Sequence, residues 1–160
     1  MLIRFSSIGD IVLASPVFRC IKQQLAGAEL HFVTKTTFKV VTATNPYIDR
    51  FFYFDNNLDT LIQQLKLEQY DYVIDLHRNI RSKQIVRALK RKSYTIDKLS
   101  WQKFLLTEFS INFMPGRHIT QRSLDTVAPL GVTDDGRGLD YFIPDNDKVY
   151  AQDLPTAHSA

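Results

Sequence analysis

The sequence predicts an α/β fold in which a parallel sheet is covered by helices on both faces. Short apolar segments alternate with segments whose apolar residues recur at helical spacing, which is typical of repeated strand–helix units. One of the apolar segments, "YVIDL" at residues 72–76, is a continuous run of the kind that a sheet buried on both faces requires. A length of 160 residues with 44% hydrophobic content fits one globular domain with a sizeable core.

The first strand and the first helix follow directly from the start of the chain. Residues 2–5 are apolar enough for a short strand, and the apolar spacing over residues 8–25 predicts a helix. Pro16 lies inside that helical pattern, where it lacks a donor and clashes with the preceding turn. We therefore expect a kink or a break near Ala14 and Ser15.

The remaining elements continue the alternation. Strands are predicted at residues 29–34, 50–54 and 72–76 and near Tyr94, and helices at residues 36–44, 57–68, 80–90 and 101–109. Glycine and proline become much denser from about Asn112, so the regular core is expected to end there. One more helix is predicted over residues 118–130, and "LDYFIP" at residues 139–144 is a candidate edge strand. We expect residues 1–145 to form one domain and residues 146–160 to begin a linker or tail.

Composition excludes several classes of function. Cys20 is the only cysteine, which rules out an internal disulfide and a cysteine-based zinc cluster and favours a reducing compartment. The start shows no secretory signal, and no apolar run approaches the roughly 18 to 20 residues of a membrane span. We expect a cytoplasmic protein whose membrane association, if any, is peripheral. Neither a metal-binding motif nor a glycine-rich nucleotide cradle occurs, so no metal and no tightly bound cofactor are predicted.

Candidate site residues follow from the rule that ligands bind beyond the carboxyl ends of strands in open α/β sheets. Three turns supply polar side chains at that edge: Ser6, Ser7 and Asp10 after the first strand, Lys35 after the second, and His77, Arg78 and Asn79 after "YVIDL". Asp10 has two interpretations at this point, a charge that stabilises the start of a helix and a functional carboxylate. Asp75, inside an apolar strand, is expected to accept hydrogen bonds from neighbouring backbone amides or to pair with a loop cation.

A basic segment follows the last of these turns. Residues 78–92 contain seven lysines and arginines and no acidic residue, and helical spacing places Lys83, Arg87, Lys90 and Arg91 on one stripe. A solvated helix face, a patch for anionic lipid or phosphorylated sugar, and a nucleic-acid surface are the three interpretations. Nucleic acid ranks last, because no nucleic-acid motif accompanies the patch, and we expect no nucleic-acid partner.

Two segments, "IRFSSIGDIVLASPVFRCIK" and "YDYVIDLHRNIRS", resemble the ADP-heptose:lipopolysaccharide heptosyltransferases, glycosyltransferase family 9. The family has an R/K-x-S-S-x-G-D turn after its first strand, a proline in the following helix, and a later strand that ends in "DLH" before a basic helix. The resemblance extends through "DDGRGLDYFIP" and therefore covers most of the chain.

The resemblance implies the N-terminal half of a GT-B glycosyltransferase, in which two Rossmann-like domains face each other. The acceptor binds to the N-terminal domain of such enzymes, and the nucleotide-sugar binds mainly to the C-terminal domain. We expect that C-terminal domain to be absent from these 160 residues and the chain to be inactive alone.

The family reaction is an inverting transfer of heptose from the co-substrate ADP-heptose to the inner core of lipopolysaccharide. By motif position Asp10 is the general base that takes the proton of the acceptor hydroxyl. We expect the substrate-binding residues to be Ser6, Ser7, Gly9, Lys35, His77, Arg78, Asn79 and Arg81. The resemblance favours an anionic acceptor or membrane surface for Lys83, Arg87, Lys90 and Arg91. The alternative is a free-standing, non-catalytic Rossmann-like module that binds a phosphate or an acidic metabolite.

Overall fold

A computed structural model describes residues 1–97 and 117–150 of the protein. Its centre is a five-stranded, wholly parallel sheet with the order β3-β2-β1-β4-β5. The strands are β1 (Leu2–Ile3), β2 (His31–Lys35), β3 (Arg50–Phe54), β4 (Tyr72–Asp75) and β5 (Lys92–Thr95). This is the strand order of a Rossmann-like domain.

Helices lie between successive strands, as crossovers between parallel strands require. They are α1 (Ile8–Val12), α2 (Ser15–Gln24), α3 (Lys39–Thr42), α4 (Leu58–Leu67) and α5 (Ile80–Leu89), and α6 (Ile119–Asp125) follows the sheet. Single turns of 3₁₀ helix occur at Thr36–Phe38, Ala128–Leu130 and Asp145–Asp147. Within the described ranges, none of the helices is both long enough and apolar enough to cross a membrane.

The sheet separates two hydrophobic cores, because successive side chains of a strand point to opposite faces. Leu2 belongs to the core that Phe18 of α2 and Leu124 of α6 complete on one face. Its neighbour Ile3 belongs to the other core, which includes Leu65 of α4 and residues of α5. The predicted helical cover on both faces is therefore confirmed.

The expected break at Pro16 is also confirmed. α1 ends at Val12 and α2 begins at Ser15, so that Pro16 lies in the first turn of α2. A proline is tolerated there because the first N–H groups of a helix have no intrahelical acceptor. Cys20 is free and fully buried in α2, as a small apolar side chain would be.

The first strand, the helix predicted over residues 118–130 and the helix predicted over residues 36–44 are shorter than their patterns indicated. The last of these consists of a 3₁₀ turn at Thr36–Phe38 followed by α3 at Lys39–Thr42. The first strand ends at Ile3 instead of residue 5, although Arg4 N still donates to Val33 O at 3.0 Å. The helix predicted over residues 118–130 ends at Asp125 and is followed by the 3₁₀ turn. Pro129 explains the second difference, since a proline cannot donate within a helix and clashes with the preceding turn.

The edge strand predicted for "LDYFIP" is wrong. This segment forms no strand, and its backbone groups bond to side chains. Asp140 N donates to Ser15 Oγ at 2.8 Å, and Phe142 O accepts from Thr44 Oγ1 at 2.7 Å. The segment therefore lies along α2 and the loop after α3, and it does not extend the sheet.

The predicted basic stripe is only partly helical. α5 ends at Leu89, and Lys90 adopts a left-handed conformation with φ of 51° that terminates the helix. Lys90 and Arg91 therefore lie beyond the helix, while Lys83 and Arg87 lie on it; all four are exposed. On the opposite side of α5, Ile85 and Leu89 are buried in the core. The helix predicted over residues 101–109 and the tail after residue 150 lie outside the described residues.

Candidate functional site

The candidate site lies at the carboxyl ends of β1 and β4, in the middle of the sheet. From β1 the chain passes to β2 and β3 on one side, whereas β4 and β5 lie on the other side. Such a reversal of strand order opens a crevice at the carboxyl ends of the strands, where ligands of α/β proteins bind. The turn after β1 and the turn after β4 are therefore neighbours.

Asp10 is held in the first turn of α1 by hydrogen bonds from the N-cap residue, Ser7. Both the backbone N–H and the hydroxyl of Ser7 donate to Asp10 Oδ2 at 3.0 Å. Arg4 Nη2 lies 2.5 Å from the same oxygen. The Asp10 side chain is 33% exposed, so the carboxylate is fixed by the chain and still reachable from solvent.

The surroundings keep Asp10 ionised. Partial burial alone would raise the pKa of the Asp10 carboxyl, but the Ser7 N–H and the Arg4 guanidinium outweigh it and lower the pKa below its ordinary value. At neutral pH the group is therefore an anion that can accept a proton. The helix-terminus interpretation also holds, since a negative charge in the first turn is favourable to the helix dipole.

Arg4 belongs to this site although the sequence patterns did not single it out. Its guanidinium donates through Nη1 to the carbonyl oxygen of Leu76 and through Nη2 to Asp10. Only 9% of Arg4 is exposed. The signal that could have found it is the R/K that opens the turn pattern, a charge placed directly after a buried strand.

The turn after β4 is organised by Asp75, which is 1% exposed. Its Oδ1 accepts from His77 N at 2.9 Å and from Arg78 N at 2.7 Å, and its Oδ2 accepts from Ser82 Oγ at 2.7 Å. These bonds satisfy the buried carboxylate and hold Arg78 at a φ of 48°. The predicted capping role of Asp75 is confirmed.

The other residues of this turn have different surroundings. The His77 ring meets the Phe5 ring edge-on at 5.4 Å, which brings the two turns into contact. Arg78 is exposed and donates weakly to Ile96 O and Asp97 Oδ1, each at 3.3 Å. Asn79 caps α5, because its Oδ1 accepts from Ser82 N at 2.8 Å.

The structure places the remaining predicted site residues around this centre without bonding them to it. Lys35 ends β2, and the Arg81 guanidinium lies over the Phe54 ring at 5.7 Å. In the described part of the chain, neither makes a hydrogen bond or an ion pair with Asp10. A side chain added at Gly9 would meet no atom within 4 Å, so there is open space beside the turn. Ser6 is half-buried next to Ser7.

No set of three or more histidine, cysteine, aspartate or glutamate side chains that could hold a metal ion occurs in residues 1–97 and 117–150. A cavity of about 470 Å³ lies at the opposite, amino-terminal edge of the strands. It is lined by Leu30, His31 and Tyr70 among others and includes none of the predicted site residues. The chemistry-bearing turns and this cavity are thus separate features.

Comparisons with known proteins agree on one group of enzymes. No protein-family model matches the sequence. Lipopolysaccharide heptosyltransferase 1 of Campylobacter coli is 28% identical over 70% of this chain and 33% of its own length. Lipopolysaccharide heptosyltransferase 3 of Escherichia coli is 25% identical over 91% of this chain and 44% of its own length.

Solved structures show the same fold. The glycosyl transferase family 9 protein from Veillonella parvula matches 91% of this chain and 45% of its own chain, with a TM-score of 0.70 at 20% identity. The E. coli heptosyltransferase WaaC with ADP matches 95% of this chain and 51% of its own, with a TM-score of 0.67 at 19% identity.

The fold and its neighbours define the class: the chain has the Rossmann-like fold of the N-terminal half of a GT-B glycosyltransferase. The relatives found by sequence are two lipopolysaccharide heptosyltransferases, to which the chain is similar at 28% and 25% identity. It spans between a third and just under half of the length of the curated relatives it matches.

Proposed function

We propose that this chain is the acceptor-binding half of an inverting heptosyltransferase and that Asp10 is its general base. The observation that supports the proposal is an ionised, partly exposed carboxylate in the turn after β1, at the reversal of strand order. The heptosyltransferase relatives favour this chemistry over the binding of a phosphate or an acidic metabolite by a non-catalytic module. A carboxylate in that turn also repels a phosphate that would occupy the start of α1.

In the proposed reaction the oxygen of an acceptor hydroxyl bonds to the anomeric carbon of the heptose. The bond from that carbon to the phosphate oxygen of ADP breaks on the opposite face, and ADP leaves with the electron pair. The hydroxyl proton passes to Asp10, which makes the hydroxyl a competent nucleophile as it attacks. Inversion at the anomeric carbon follows from this in-line displacement.

Binding of the acceptor is assigned to the residues around Asp10. Ser6, Ser7 and the open space beside Gly9 accommodate the hydroxyl-bearing sugar, and Lys35, His77, Arg78, Asn79 and Arg81 line the approach. Arginine suits the carboxylates and phosphates of an inner-core acceptor because its planar fork binds them through two donors. The exposed Lys83, Arg87, Lys90 and Arg91 extend this positive surface towards the anionic acceptor or the membrane that holds it.

The donor is proposed to bind mainly to a second, C-terminal Rossmann-like domain. We expect the 160-residue chain alone to turn over no ADP-heptose, and measurable turnover by the isolated chain would contradict this division of roles. Calorimetric titration of the full-length protein with a panel of nucleotide sugars identifies the donor.

The base assignment is tested by Asp10→Asn in the full-length protein, assayed with ADP-heptose and an inner-core acceptor. Loss of a positioned general base lowers turnover by roughly 10² to 10⁴-fold. Asp59→Asn is the matched control, because Asp59 lies in the first turn of α4 and is exposed. Asp59→Asn is expected to retain full activity. Wild-type turnover by Asp10→Asn would exclude Asp10 as the base.

A further inference from the structure

We propose that Arg4 is a positioning residue that holds Oδ2 of Asp10 and leaves Oδ1 as the oxygen that receives the acceptor proton. This inference deepens the proposed function and rests on it. Arg4 touches neither the acceptor nor the reacting atoms in this proposal; it acts through the carboxylate that does.

The hydrogen bonds of Asp10 converge on a single oxygen. Ser7 N, Ser7 Oγ and Arg4 Nη2 all approach Oδ2, at 3.0, 3.0 and 2.5 Å. Within the described residues, Oδ1 accepts no hydrogen bond. Three donors on one oxygen fix the rotation of the carboxylate, so the other oxygen is presented in a defined direction.

The guanidinium of Arg4 is itself held by few contacts. Its side chain is 10% exposed, and its Nε is buried and finds no acceptor among the described residues. The orientation of the fork therefore depends on two bonds, one from Nη2 to Asp10 and one from Nη1 to the Leu76 carbonyl. A planar guanidinium with two separate donors can satisfy both acceptors at once.

The second bond ties the base to the turn that is proposed to bind the acceptor. Leu76 directly precedes His77 and Arg78, and Asp75 fixes the backbone of both. Arg4 thus connects the carboxylate after β1 to the end of β4. Together with the pairing of β1 with β4 and the contact between the Phe5 and His77 rings, this bond fixes the distance between the proton acceptor and the acceptor-binding turn.

The test compares Arg4→Gln and Arg4→Lys in the full-length protein. Glutamine removes the charge beside Oδ2 and keeps a hydrogen-bond donor, whereas lysine keeps the charge. We expect Arg4→Gln to lower kcat by about 10 to 100-fold, the effect of a misoriented catalytic group, with KM for the donor changed less than about threefold. Arg4→Lys is expected to recover most of kcat. Arg50→Gln, at an exposed ion pair with Glu68, is the matched control and keeps wild-type kcat.

The pH dependence separates positioning from a merely structural role. Removing the cation raises the pKa of Asp10, so the acid limb of kcat/KM moves to higher pH in Arg4→Gln and stays in place in Arg4→Lys. NMR titration of the Asp10 side-chain carboxyl carbon reports the same change without an activity assay. An unchanged acid limb and an unchanged titration in Arg4→Gln overturn the inference.

The outcomes distinguish this inference from the proposed function. If Asp10→Asn retains turnover, the base assignment fails; if Asp10→Asn loses turnover while Arg4→Gln keeps wild-type kcat, only the role of Arg4 fails. Should Arg4→Gln not fold, the wild-type titration decides. Asp10 titrating at the ordinary value of 3.8 in the wild-type protein would then overturn the inference.

Discussion

Arg4 and Arg19 both form ion pairs with aspartates, but the two groups differ in how far the acids are exposed. Arg4 pairs with Asp10, six positions along the chain, and leaves that acid 33% exposed at the carboxyl edge of the sheet. Arg19 of α2 is fully buried and pairs with Asp135 and Asp140, which are 17% and 18% exposed. The Asp10 carboxylate is therefore accessible to solvent, whereas the charges of the Arg19 group are largely buried.

The Arg19 group fastens the segment after α6 onto α2. Its Nε and Nη2 donate to the two oxygens of Asp135 at 2.7 Å each, Nη1 donates to Asp140, and Nη2 also donates to Gly138 O at 2.9 Å. Gln24 adds a bond from its side-chain nitrogen to Thr133 O at 2.7 Å. Every charge in this cluster has a partner, which is what a buried charge requires. We call Arg19 with Asp135 and Asp140 the clamp, because it holds two segments together. The candidate site differs from the clamp in the greater exposure of its acid and not in the presence of an ion pair.

Breaking the clamp should have the largest effect on stability. Arg19→Met leaves two acids facing each other without their cation, and loss of one partner of a buried ion pair costs about 3 kcal/mol or more. Urea denaturation measures this as a lower midpoint at an unchanged slope. The triple variant Arg19→Met, Asp135→Asn, Asp140→Asn removes the stranded charges and should regain part of the loss. A single variant as stable as the wild type would show that the clamp contributes nothing.

Breaking the Arg4 pair should cost less stability. Asp10→Asn removes the anion beside a nearly buried guanidinium, but the site is open to water on the acid's side. A hydrogen bond to a charged group contributes about 1.5 to 3 kcal/mol, and the exposure of Asp10 places this pair towards the lower end. The same urea experiment, with Asp59→Asn as the exposed first-turn control, gives the comparison. If Asp10→Asn lost more free energy of unfolding than Arg19→Met, the expected order of the two groups would be contradicted.

Lowering the pH should reduce the stability that both the Arg4–Asp10 pair and the clamp give the folded protein. Arg19 holds the pKa of Asp135 far below its usual value, and the pKa of Asp10 is also lowered. The unfolded chain therefore binds more protons than the folded chain, so stability is fully present above the ordinary value of 3.8 and falls as pH drops below it. Denaturation between pH 6 and pH 3 should show a flatter pH dependence in Asp135→Asn than in the wild type. If the free energy of unfolding of the two proteins changed equally with pH, Asp135 would not be a source of the acid sensitivity.

The smallest stability effect is expected on the basic surface. Lys83 and Arg87 are exposed on α5, and exposed substitutions change stability by less than about 0.5 kcal/mol. Lys83→Ala with Arg87→Ala should nevertheless weaken sedimentation with anionic phospholipid vesicles at low salt. Neutral phosphatidylcholine vesicles are the control. Equal sedimentation of wild type and variant would remove these two residues from the proposed acceptor and membrane surface.

Local patterns predicted the fold well because they report burial and backbone preference. The third strand was predicted at residues 50–54 and lies at Arg50–Phe54, and the break at Pro16 followed from the chemistry of proline. The same rule applied to Pro129 would have shortened the helix predicted over residues 118–130. The turn containing Asp10 and the cap at Asp75 were also visible, since each depends on residues a few positions away.

Long-range partners account for what the sequence could not predict. Arg19 bonds to acids 116 and 121 positions away, and no periodic pattern records that separation. "LDYFIP" has the apolar content of a strand, but its conformation is set by Ser15, Arg19 and Thr44. Arg4 combines a predictable and an unpredictable contact. Its bond to Asp10 is local in sequence, whereas its bond to Leu76 is long-range.

The bond between Arg4 and Leu76 also bears on the order of events during folding. It spans 72 positions, and β1 pairs on one side with β2 and on the other with β4. Closing so long a loop carries an entropic cost that only later contacts repay. Arg4 and Asp10 can meet as soon as the first turn forms, whereas the link to Leu76 waits until β4 joins the sheet. During folding, the Arg4 guanidinium therefore lacks its second hydrogen-bond acceptor until β4 pairs with β1. Quenched-flow amide exchange at Leu76, whose N–H donates to Ile3 O, would measure when that pairing occurs.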